Sequence, residues 1–264
     1  MKLGRIAGYV TLLPPGLRSL IRDLTGLRLK QLPLFVAAVK GAAALEIGGP
    51  SGIFRDSGLC PVYAHIKTLD NCVFARDTIW EGTREDGSPY VFEAGIPAGM
   101  NYVRDATNLD GIGSGAYGCL LASHCLEHIA NPVKALKEWQ RVAKPGGAIV
   151  IVLPDYRKTF DHRRKPTPVS HMLEDYERCT AEDDQTHIAE VLELHDFSLD
   201  PIGGDYEEFR KRIADNSRYR TVHQHVFDEN NSRELLTAVG MTVKCVELAV
   251  PHHLVLLAET SKST

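Results

Sequence analysis

Histidines in two short segments have the residue types and spacing needed for proton transfer or metal binding. His124 and His128 follow a short apolar run, and His223 and His225 alternate in the segment Thr221-Val-His-Gln-His-Val-Phe227. If this segment is extended, His223 and His225 share one face, because alternate side chains of an extended segment point the same way. A neutral imidazole can take a proton from a hydroxyl group, and it can also bind a divalent ion. These residues therefore predict acid-base chemistry, with metal binding left open.

A glycine-rich turn is the second feature with chemical meaning. The apolar run Ala42 to Ile47 ends in Gly48-Gly-Pro-Ser-Gly52, which is typical of a buried strand that leads into a tight turn. Glycine lacks a Cβ atom and adopts positive φ, so the backbone of such a turn can approach a ligand closely. The turn lacks the Gly-x-Gly-x-x-Gly pattern that binds pyrophosphate, and the acidic Glu46 precedes it. We therefore expect a ligand without a phosphate group.

Alternating strand and helix patterns place these residues on an α/β sheet. Between two apolar runs, a predicted helix over residues 132–142 puts Val133, Leu136 and Trp139 on one face. Strand, helix and strand in this order predict a parallel crossover, and ligands of such sheets bind at the carboxyl ends of the strands. The other predicted elements are helices over 16–24 and 31–39 and strands over Val62–Thr68, Met100–Val103, Tyr117–Ala122, Ala148–Leu153, Thr242–Leu248 and Leu254–Ala258.

Four segments in the first two thirds of the chain resemble the ordered motifs of one enzyme family. Leu45 to Gly52 resembles motif I of the class I S-adenosylmethionine-dependent methyltransferases. Asp70 resembles the acidic residue that this family uses on the ribose hydroxyls, and Asp105-Ala106 resembles the position that holds the adenine amino group. Tyr117 to His128 is similar to the fourth strand and the following turn of the small-molecule branch often called type 11.

This resemblance implies a fold, a cofactor and an activity. The expected fold is a Rossmann-like α/β domain with a mostly parallel seven-stranded sheet, helices on both faces, short N-terminal helices and a helical cap. The expected divisions are an N-terminal helical arm (1–40), the cofactor-binding core (41–155), an acceptor cap (156–220) and the C-terminal completion of the sheet (221–264). Residues expected to bind S-adenosylmethionine are Glu46, Gly48, Gly49, Gly52, Asp70, Asn71, Asp105, Ala106, Ser123 and His124.

The methyl acceptor is expected beside the histidines. Transfer to a hydroxyl needs a base, for which His128, His223 and His225 are the candidates, although His128 could instead cap or pack against the following helix. A looser resemblance, carried by His223 to Phe227 and by Asp161 to Tyr176, is to methyltransferases of glycan and polysaccharide biosynthesis. It implies O-methylation of a saccharide hydroxyl. N- or C-methylation of another small metabolite, and a catalytically inactive partner subunit, stay open.

Metal binding is not decided by the sequence. The cap supplies enough ligands for a divalent ion such as Mg²⁺, although none has a spacing specific to a metal. These residues are Asp161, His162, Asp183, Asp184, His187, His195 and Asp196.

Charge and composition limit the kinds of partner that we expect for this protein. The 264 residues have a formal net charge of −4, so we expect no nucleic-acid partner. Residues 1–40 hold seven Lys and Arg against the single acid Asp23, which leaves peripheral contact with an anionic membrane open. Apolar stretches there are too short to span a bilayer. Six cysteines without a C-x-x-C pair predict a reducing, cytoplasmic setting. The oligomeric state, a dimer included, stays open.

Overall fold

A computed structural model describes residues 28–92, 98–200, 202 and 204–261. Within these residues the helices are α1 (Leu32–Val39), α2 (Pro132–Val142), α3 (Val169–Glu177), α4 (Ile188–Leu194), α5 (Tyr206–Ala214), α6 (Asn216–Tyr219) and α7 (Glu229–Ala238). The strands are β1 (Ala43–Ile47), β2 (Thr68–Val73), β3 (Asp77–Thr78), β4 (Gly82–Thr83), β5 (Pro89–Tyr90), β6 (Gly99–Val103), β7 (Tyr117–Ser123), β8 (Ala143–Pro154), β9 (Thr242–Ala249) and β10 (His253–Glu259).

The main sheet has the order β5-β6-β2-β1-β7-β8-β10-β9. Strands β6, β2, β1, β7 and β8 run parallel to one another, whereas β5 pairs antiparallel with β6, and β10 pairs antiparallel with both β8 and β9. β3 and β4 form a separate two-stranded hairpin. The parallel strands bring their carboxyl ends to one edge of the sheet, and the antiparallel β10 brings its first residue, His253, to the same edge opposite Pro154.

Side chains alternate along the central strands, so each face of the sheet buries its own core. In β8, Ile149 and Ile151 point to one face, while Val150 and Val152 point to the other. The first face is covered by α2, α3 and α7, and the second by α1 and the loop that follows β1. This arrangement confirms the predicted Rossmann-like α/β fold with helices on both faces.

Local sequence explains where the central helix begins and what it buries. Asn131 accepts a hydrogen bond from the Lys134 amide at 2.9 Å, and Pro132 takes the first helical position, where no amide donor is needed. Trp139 is fully buried beneath the sheet, and its Nε1 donates to the Ala106 carbonyl at 3.0 Å. The buried indole therefore ties α2 to the segment that follows β6, next to the expected cofactor site.

The region from 156 to 220, here called the cap, has a small apolar cluster formed by Val191, Phe209 and Ile213, which Val222 completes from the segment after it. Its helix α3 also places Val169 and Met172 in the main core. The cap is thus seated on the sheet domain through α3. No helix among the described residues combines the length and apolar character needed to cross a membrane.

Two sequence predictions are changed by the structure. The main sheet has eight strands instead of seven, because the two-residue β5 extends its edge. The strand predicted over Val62–Thr68 is wrong: a 3₁₀ turn occupies Tyr63–His65, and β2 begins only at Thr68. The apolar residues of that turn are buried because they pack under the loop after β1, not because they pair in the sheet. The helix predicted over 16–24 lies outside the described residues, whereas the one over 31–39 is confirmed as α1.

Candidate active site

A cavity of about 720 Å³ opens at the carboxyl edge of the sheet. Gly48 follows β1 in its wall, Ser123 ends β7, Pro154 ends β8 and His253 begins β10. This is the position at which parallel α/β sheets bind ligands, and the volume is that of a small-molecule pocket. We call the side formed by Ile47, Gly48, Pro50, Cys72, Val73, Phe74 and Ala106 the loop wall, and the side formed by His128, Phe160, His195, Thr221 and His223 the histidine wall.

Gly48 brings backbone to the surface of the loop wall. Its φ is +75°, a conformation that side chains disfavour, and its amide donates to the Cys72 carbonyl at 2.8 Å. A Cβ atom at this position would face Glu81 and Cys125 at 3.7 to 3.8 Å. A ligand can therefore reach the main chain here, as the glycine-rich turn predicted.

Glu46 points away from the cavity and holds the loop in shape. Its fully buried carboxylate accepts hydrogen bonds from the Ser51 amide at 3.1 Å, from the Tyr63 hydroxyl at 2.6 Å and from the Tyr90 hydroxyl at 3.1 Å. Gly49 leaves room for it, because a Cβ atom there would come within 2.3 Å of Oε2. Burial raises the pKa of Glu46 more than these three donors lower it.

Asp70 and Asn71 lie inside β2, before the strand reaches the cavity. Asp70 accepts hydrogen bonds from the Met100 amide at 2.8 Å and from the Tyr117 hydroxyl at 2.7 Å. Asn71 accepts one from the Gly49 amide at 2.9 Å. Neither residue lines the cavity, and the position just past the end of β2 belongs to Phe74. Both side chains therefore form their contacts within the sheet and with the loop after β1.

Asp105 is bound by a residue from the cap. Arg220 donates to its carboxylate at 2.5 Å and lies over the Phe74 ring at 4.4 Å from the centroid. Burial alone would raise the pKa of Asp105, but Arg220 and the Thr107 amide hold it below its usual value. Ala106 and Arg220 line the cavity, whereas Asp105 itself does not. Arg220 therefore stands between the predicted adenine-binding carboxylate and the open space.

His223 forms a buried pair with Asp161 in the histidine wall. Its Nδ1 donates to Asp161 Oδ2 at 2.5 Å, and Arg164 donates to the other carboxylate oxygen at 3.0 Å and to the His223 carbonyl at 2.8 Å. Although burial alone would raise it, His223 and Arg164 hold the pKa of Asp161 at about 2. Burial lowers the pKa of His223, but the Asp161 carboxylate more than offsets this and raises it. With its Nδ1 proton held by Asp161, the imidazole has Nε2 free to accept a proton.

His128 and Glu127 stand next to this pair. The rings of His128 and His223 are 4.6 Å apart, and burial lowers the pKa of His128 to about 4, so this imidazole is neutral near pH 7. Glu127 is fully buried, with one oxygen 3.4 Å from His124 Nδ1. Burial alone would raise the pKa of Glu127, but the surrounding histidines hold it below its usual value. The wall thus combines a carboxylate with neutral and basic imidazoles.

Aromatic and charged side chains complete the cavity on the side of the β3–β4 hairpin. Trp80 lies between β3 and β4, is 45 % exposed, and places its ring 5.6 Å from that of His128. Glu81 and Arg84 line the cavity beside it. Burial raises the pKa of Glu81. His124, which has a φ of +51°, contacts His253 Nδ1 through its Nε2 at 3.0 Å.

The cavity therefore unites only some of the predicted site residues. Gly48, Ala106, Ser123, His124, His128 and His223 line it, whereas Glu46, Gly49, Gly52, Asp70, Asn71, Asp105 and His225 do not. His223 and His225 do not lie on one face. The segment that holds them is not a strand, so two-residue alternation does not apply, and His225 lies beside His171 and His187 instead.

Sequence reasoning also missed functional candidates. Trp80, Glu81 and Arg220 were not singled out, and Asp161 was considered only as a metal ligand. The signal for Trp80 is its place as a large aromatic residue among polar residues, and the signal for Asp161 is its occurrence in a charged cap segment. Neither pattern identifies the residues that the fold places next to Trp80 and Asp161.

Comparison with protein families gives one match. Residues 79–151 match the family model described as a methyltransferase domain. The matched segment includes Trp80, Glu81, Asp105, His124 and His128. This match confirms the prediction of an S-adenosylmethionine-dependent methyltransferase enzyme. No curated protein sequence matches the chain.

Solved structures of similar shape were also found. A putative methyltransferase from Bacillus halodurans C-125 is 10% identical, with 88% of this chain and 98% of that chain covered and a TM-score of 0.48. A putative S-adenosylmethionine-dependent methyltransferase from Listeria monocytogenes is 14% identical, with 88% and 97% covered and a TM-score of 0.47. The 1,6-didemethyltoxoflavin-N1-methyltransferase of Burkholderia thailandensis, with S-adenosylhomocysteine bound, is 14% identical, with 98% and 91% covered and a TM-score of 0.45.

Proposed function

We propose that this methyltransferase transfers the methyl group of S-adenosylmethionine to a hydroxyl group of a saccharide or a similar hydroxylated metabolite. The observation that carries the proposal is the Asp161–His223 pair in the histidine wall, which shares one cavity with the loop wall. A carboxylate that orients a histidine is the arrangement of a general base, and hydroxyl acceptors need one because their proton must leave as the methyl group arrives.

The loop wall suits the cofactor. Gly48 offers exposed backbone at positive φ, and Cys72, Phe74 and Ala106 provide an apolar surface for the adenine ring. Glu81, beside the open face of Gly48, is the carboxylate available for a hydroxyl or ammonium group of the cofactor. Asp105 becomes available to the adenine amino group if Arg220 moves aside. When bound, S-adenosylmethionine supplies an electrophilic methyl group on a sulfonium.

In this proposal the histidine wall takes up the proton of the acceptor hydroxyl. Asp161 keeps Nδ1 of His223 protonated and stabilises the imidazolium that forms when Nε2 takes the acceptor proton. Arg164 fixes this pair from behind by bonding both members. His128, neutral near pH 7, can accept a hydrogen bond from a second acceptor hydroxyl and so align the first. The other candidate base, His225, is not on the cavity wall.

A saccharide fits the remaining surface. The half-exposed Trp80 offers an aromatic face next to His128, and the C–H face of a sugar ring can pack on such a surface. Around it, Arg84 and Asp200 supply polar groups for hydroxyls. An apolar acceptor would leave the buried Nε of Arg84 without a hydrogen-bond partner among the described residues.

The test is transfer of a labelled methyl group from S-adenosylmethionine to a panel of free sugars, nucleotide sugars, phenols and amines, each with and without a chelator. We expect labelled O-methyl product from a saccharide and S-adenosylhomocysteine in equal amount. Transfer only to amines or carbon acceptors would overturn the hydroxyl assignment. Absence of cofactor binding by calorimetry, together with no transfer, would overturn the enzyme and leave a non-catalytic partner subunit.

A further inference from the structure

A second group of histidines lies outside the cavity. His171 on α3, His187 at the start of α4 and His225 before α7 bring their ring nitrogens within 4.8 Å of one another. Their ring centroids are 5.0, 5.4 and 5.9 Å apart in pairs. None of the three lines the cavity. The reaction proposed above gives them no role.

Asp175 adds a fourth ligand to this group. Its Oδ2 is 3.5 Å from His171 Nε2, which is 3.1 Å from His187 Nε2, and the same oxygen lies beside the His225 ring, 3.6 Å from Nε2. Four ligands held tetrahedrally at about 2.0–2.2 Å from a zinc ion are roughly 3.3–3.6 Å from each other. The two separations at His171 Nε2 are close to this range, and for His225 the ligand atom is Nδ1, since Nε2 contacts the Ala130 carbonyl.

Unpartnered buried atoms point into the same group. Asp175 is 7 % exposed and His225 is 1 % exposed, yet Asp175 Oδ2 and His225 Nδ1 have no hydrogen-bond partner among the described residues. Buried polar atoms are rarely left in this state. The Nε2 atom of His225 contacts the Ala130 carbonyl at 3.2 Å, and Asp175 Oδ1 accepts from Thr180 at 3.0 Å. Such outer hydrogen bonds are those that orient metal ligands.

We propose that His171, His187, His225 and Asp175 form a structural site for one divalent transition-metal ion, and that zinc fits this donor set best. Three imidazoles and a carboxylate are zinc ligands, whereas Mg²⁺ and Ca²⁺ prefer oxygen. The site joins two parts of the cap to the segment that carries His223, since His171 and Asp175 belong to α3, His187 precedes α4 and His225 follows His223 by two residues. Its role is to hold the cap on the sheet domain.

The experiment measures metal content in untagged protein, so that no affinity tag binds the ion. After incubation with zinc and dialysis, we expect about one zinc ion per chain in the wild type and less than about a tenth of that in His171→Ala and Asp175→Ala. His162→Ala is the matched control, because His162 is a cap histidine bonded to Asp196 outside the group, and it should retain the metal.

Two rival groups are separated by the same measurement. Among the described residues, Glu127, His128 and His223 form one and His124, His252 and His253 the other. His128→Ala and His252→Ala should retain zinc. Loss of zinc from either of them, with retention in His171→Ala, would overturn the proposal, and so would a wild type that holds no zinc.

Cobalt gives a test that does not depend on how the variants fold. Metal-free wild-type protein titrated with Co²⁺ should develop the intense visible bands of a four-coordinate ion, and one equivalent of zinc should abolish them. Weak bands of a six-coordinate ion would contradict the assigned ligands.

A chelator should lower the melting temperature of the wild type and of His162→Ala, because removing a ligand of the folded state destabilises it. The melting temperature of a folded Asp175→Ala should stay unchanged.

Discussion

The loop wall and the histidine wall of the cavity differ in how their residues are held. The loop wall is built around the turn after β1, where Gly48 exposes backbone and the buried Glu46 fixes the chain from behind, and the ends of β2 and β6 complete it. In the histidine wall, His128 from the turn after β7 lies beside His223, and the buried cap residue Asp161 holds His223 in place, although the three are far apart in sequence. A ligand recognised by backbone depends on local chain geometry, whereas a proton acceptor depends on contacts between distant segments.

Removing the proposed base, His223, should give the largest loss of activity and should leave cofactor binding at the loop wall unchanged. His223→Ala is expected to lower kcat by about 10²–10⁴-fold, because the acceptor hydroxyl loses its proton acceptor, while the dissociation constant of S-adenosylhomocysteine stays within about twofold. Steady-state kinetics and calorimetry check this. His162→Ala removes an exposed histidine that is also paired with an aspartate, and it should leave kcat unchanged. An equal loss in both variants would contradict the assignment.

Removing the Asp105 carboxylate should weaken cofactor binding at the loop wall. Asp105→Ala is expected to weaken S-adenosylhomocysteine binding by about tenfold or more, since a hydrogen bond to a charged group is lost. Asp70→Asn, whose side chain serves the sheet, should bind within about twofold of the wild type, with calorimetry as the measurement. An equal loss of affinity in Arg220→Ala would show that Asp105 acts by positioning Arg220 instead of by holding adenine.

Trp80 sharpens the comparison because it lines the cavity beside His128, where we propose that the acceptor binds. Trp80→Ala should raise the KM of a saccharide acceptor by about 2- to 10-fold, since an aromatic packing surface is removed, with little change in cofactor affinity. Trp80→Phe should recover most of the loss. Initial rates at varied acceptor concentration provide the measurement, and an unchanged KM in Trp80→Ala would place the acceptor elsewhere in the cavity.

Glu46 should give the smallest effect, and one that appears in stability. Its pKa is raised by burial, so its contribution to stability is present below the unfolded pKa and is lost as the pH rises through the folded value. The Glu46→Gln variant has no titrating carboxyl group at this position. The free energy of unfolding of the variant relative to the wild type should therefore increase from pH 4 to about pH 8 in denaturant titrations. Tyr90→Phe keeps the carboxyl group and should keep the wild-type trend. A pH-independent difference between Glu46→Gln and the wild type would contradict the buried-carboxyl account.

The sequence was informative wherever one segment carries the whole signal. The β1 turn, the helix Pro132–Val142 and the last two strands were predicted close to their observed bounds, because hydrophobic periodicity, glycine and an N-cap act locally. Val62–Thr68 misled the prediction, since a buried turn and a buried strand show the same apolar run. His225 could not be separated from His223 because their different surroundings depend on α3 and the cap, which spacing along the chain does not encode.

The antiparallel β10 has a practical consequence. Its first residue lies at the cavity edge opposite Pro154, and its last residue, Glu259, pairs with Ala148 at the far edge of the sheet. Thr260 and Ser261 therefore follow the sheet at the edge away from the cavity mouth. A surface anchor, fluorophore or fused reporter attached beyond Glu259 should leave substrate entry unobstructed, whereas an insertion between β9 and β10, at Val250–His252, would lie beside His253 and obstruct it.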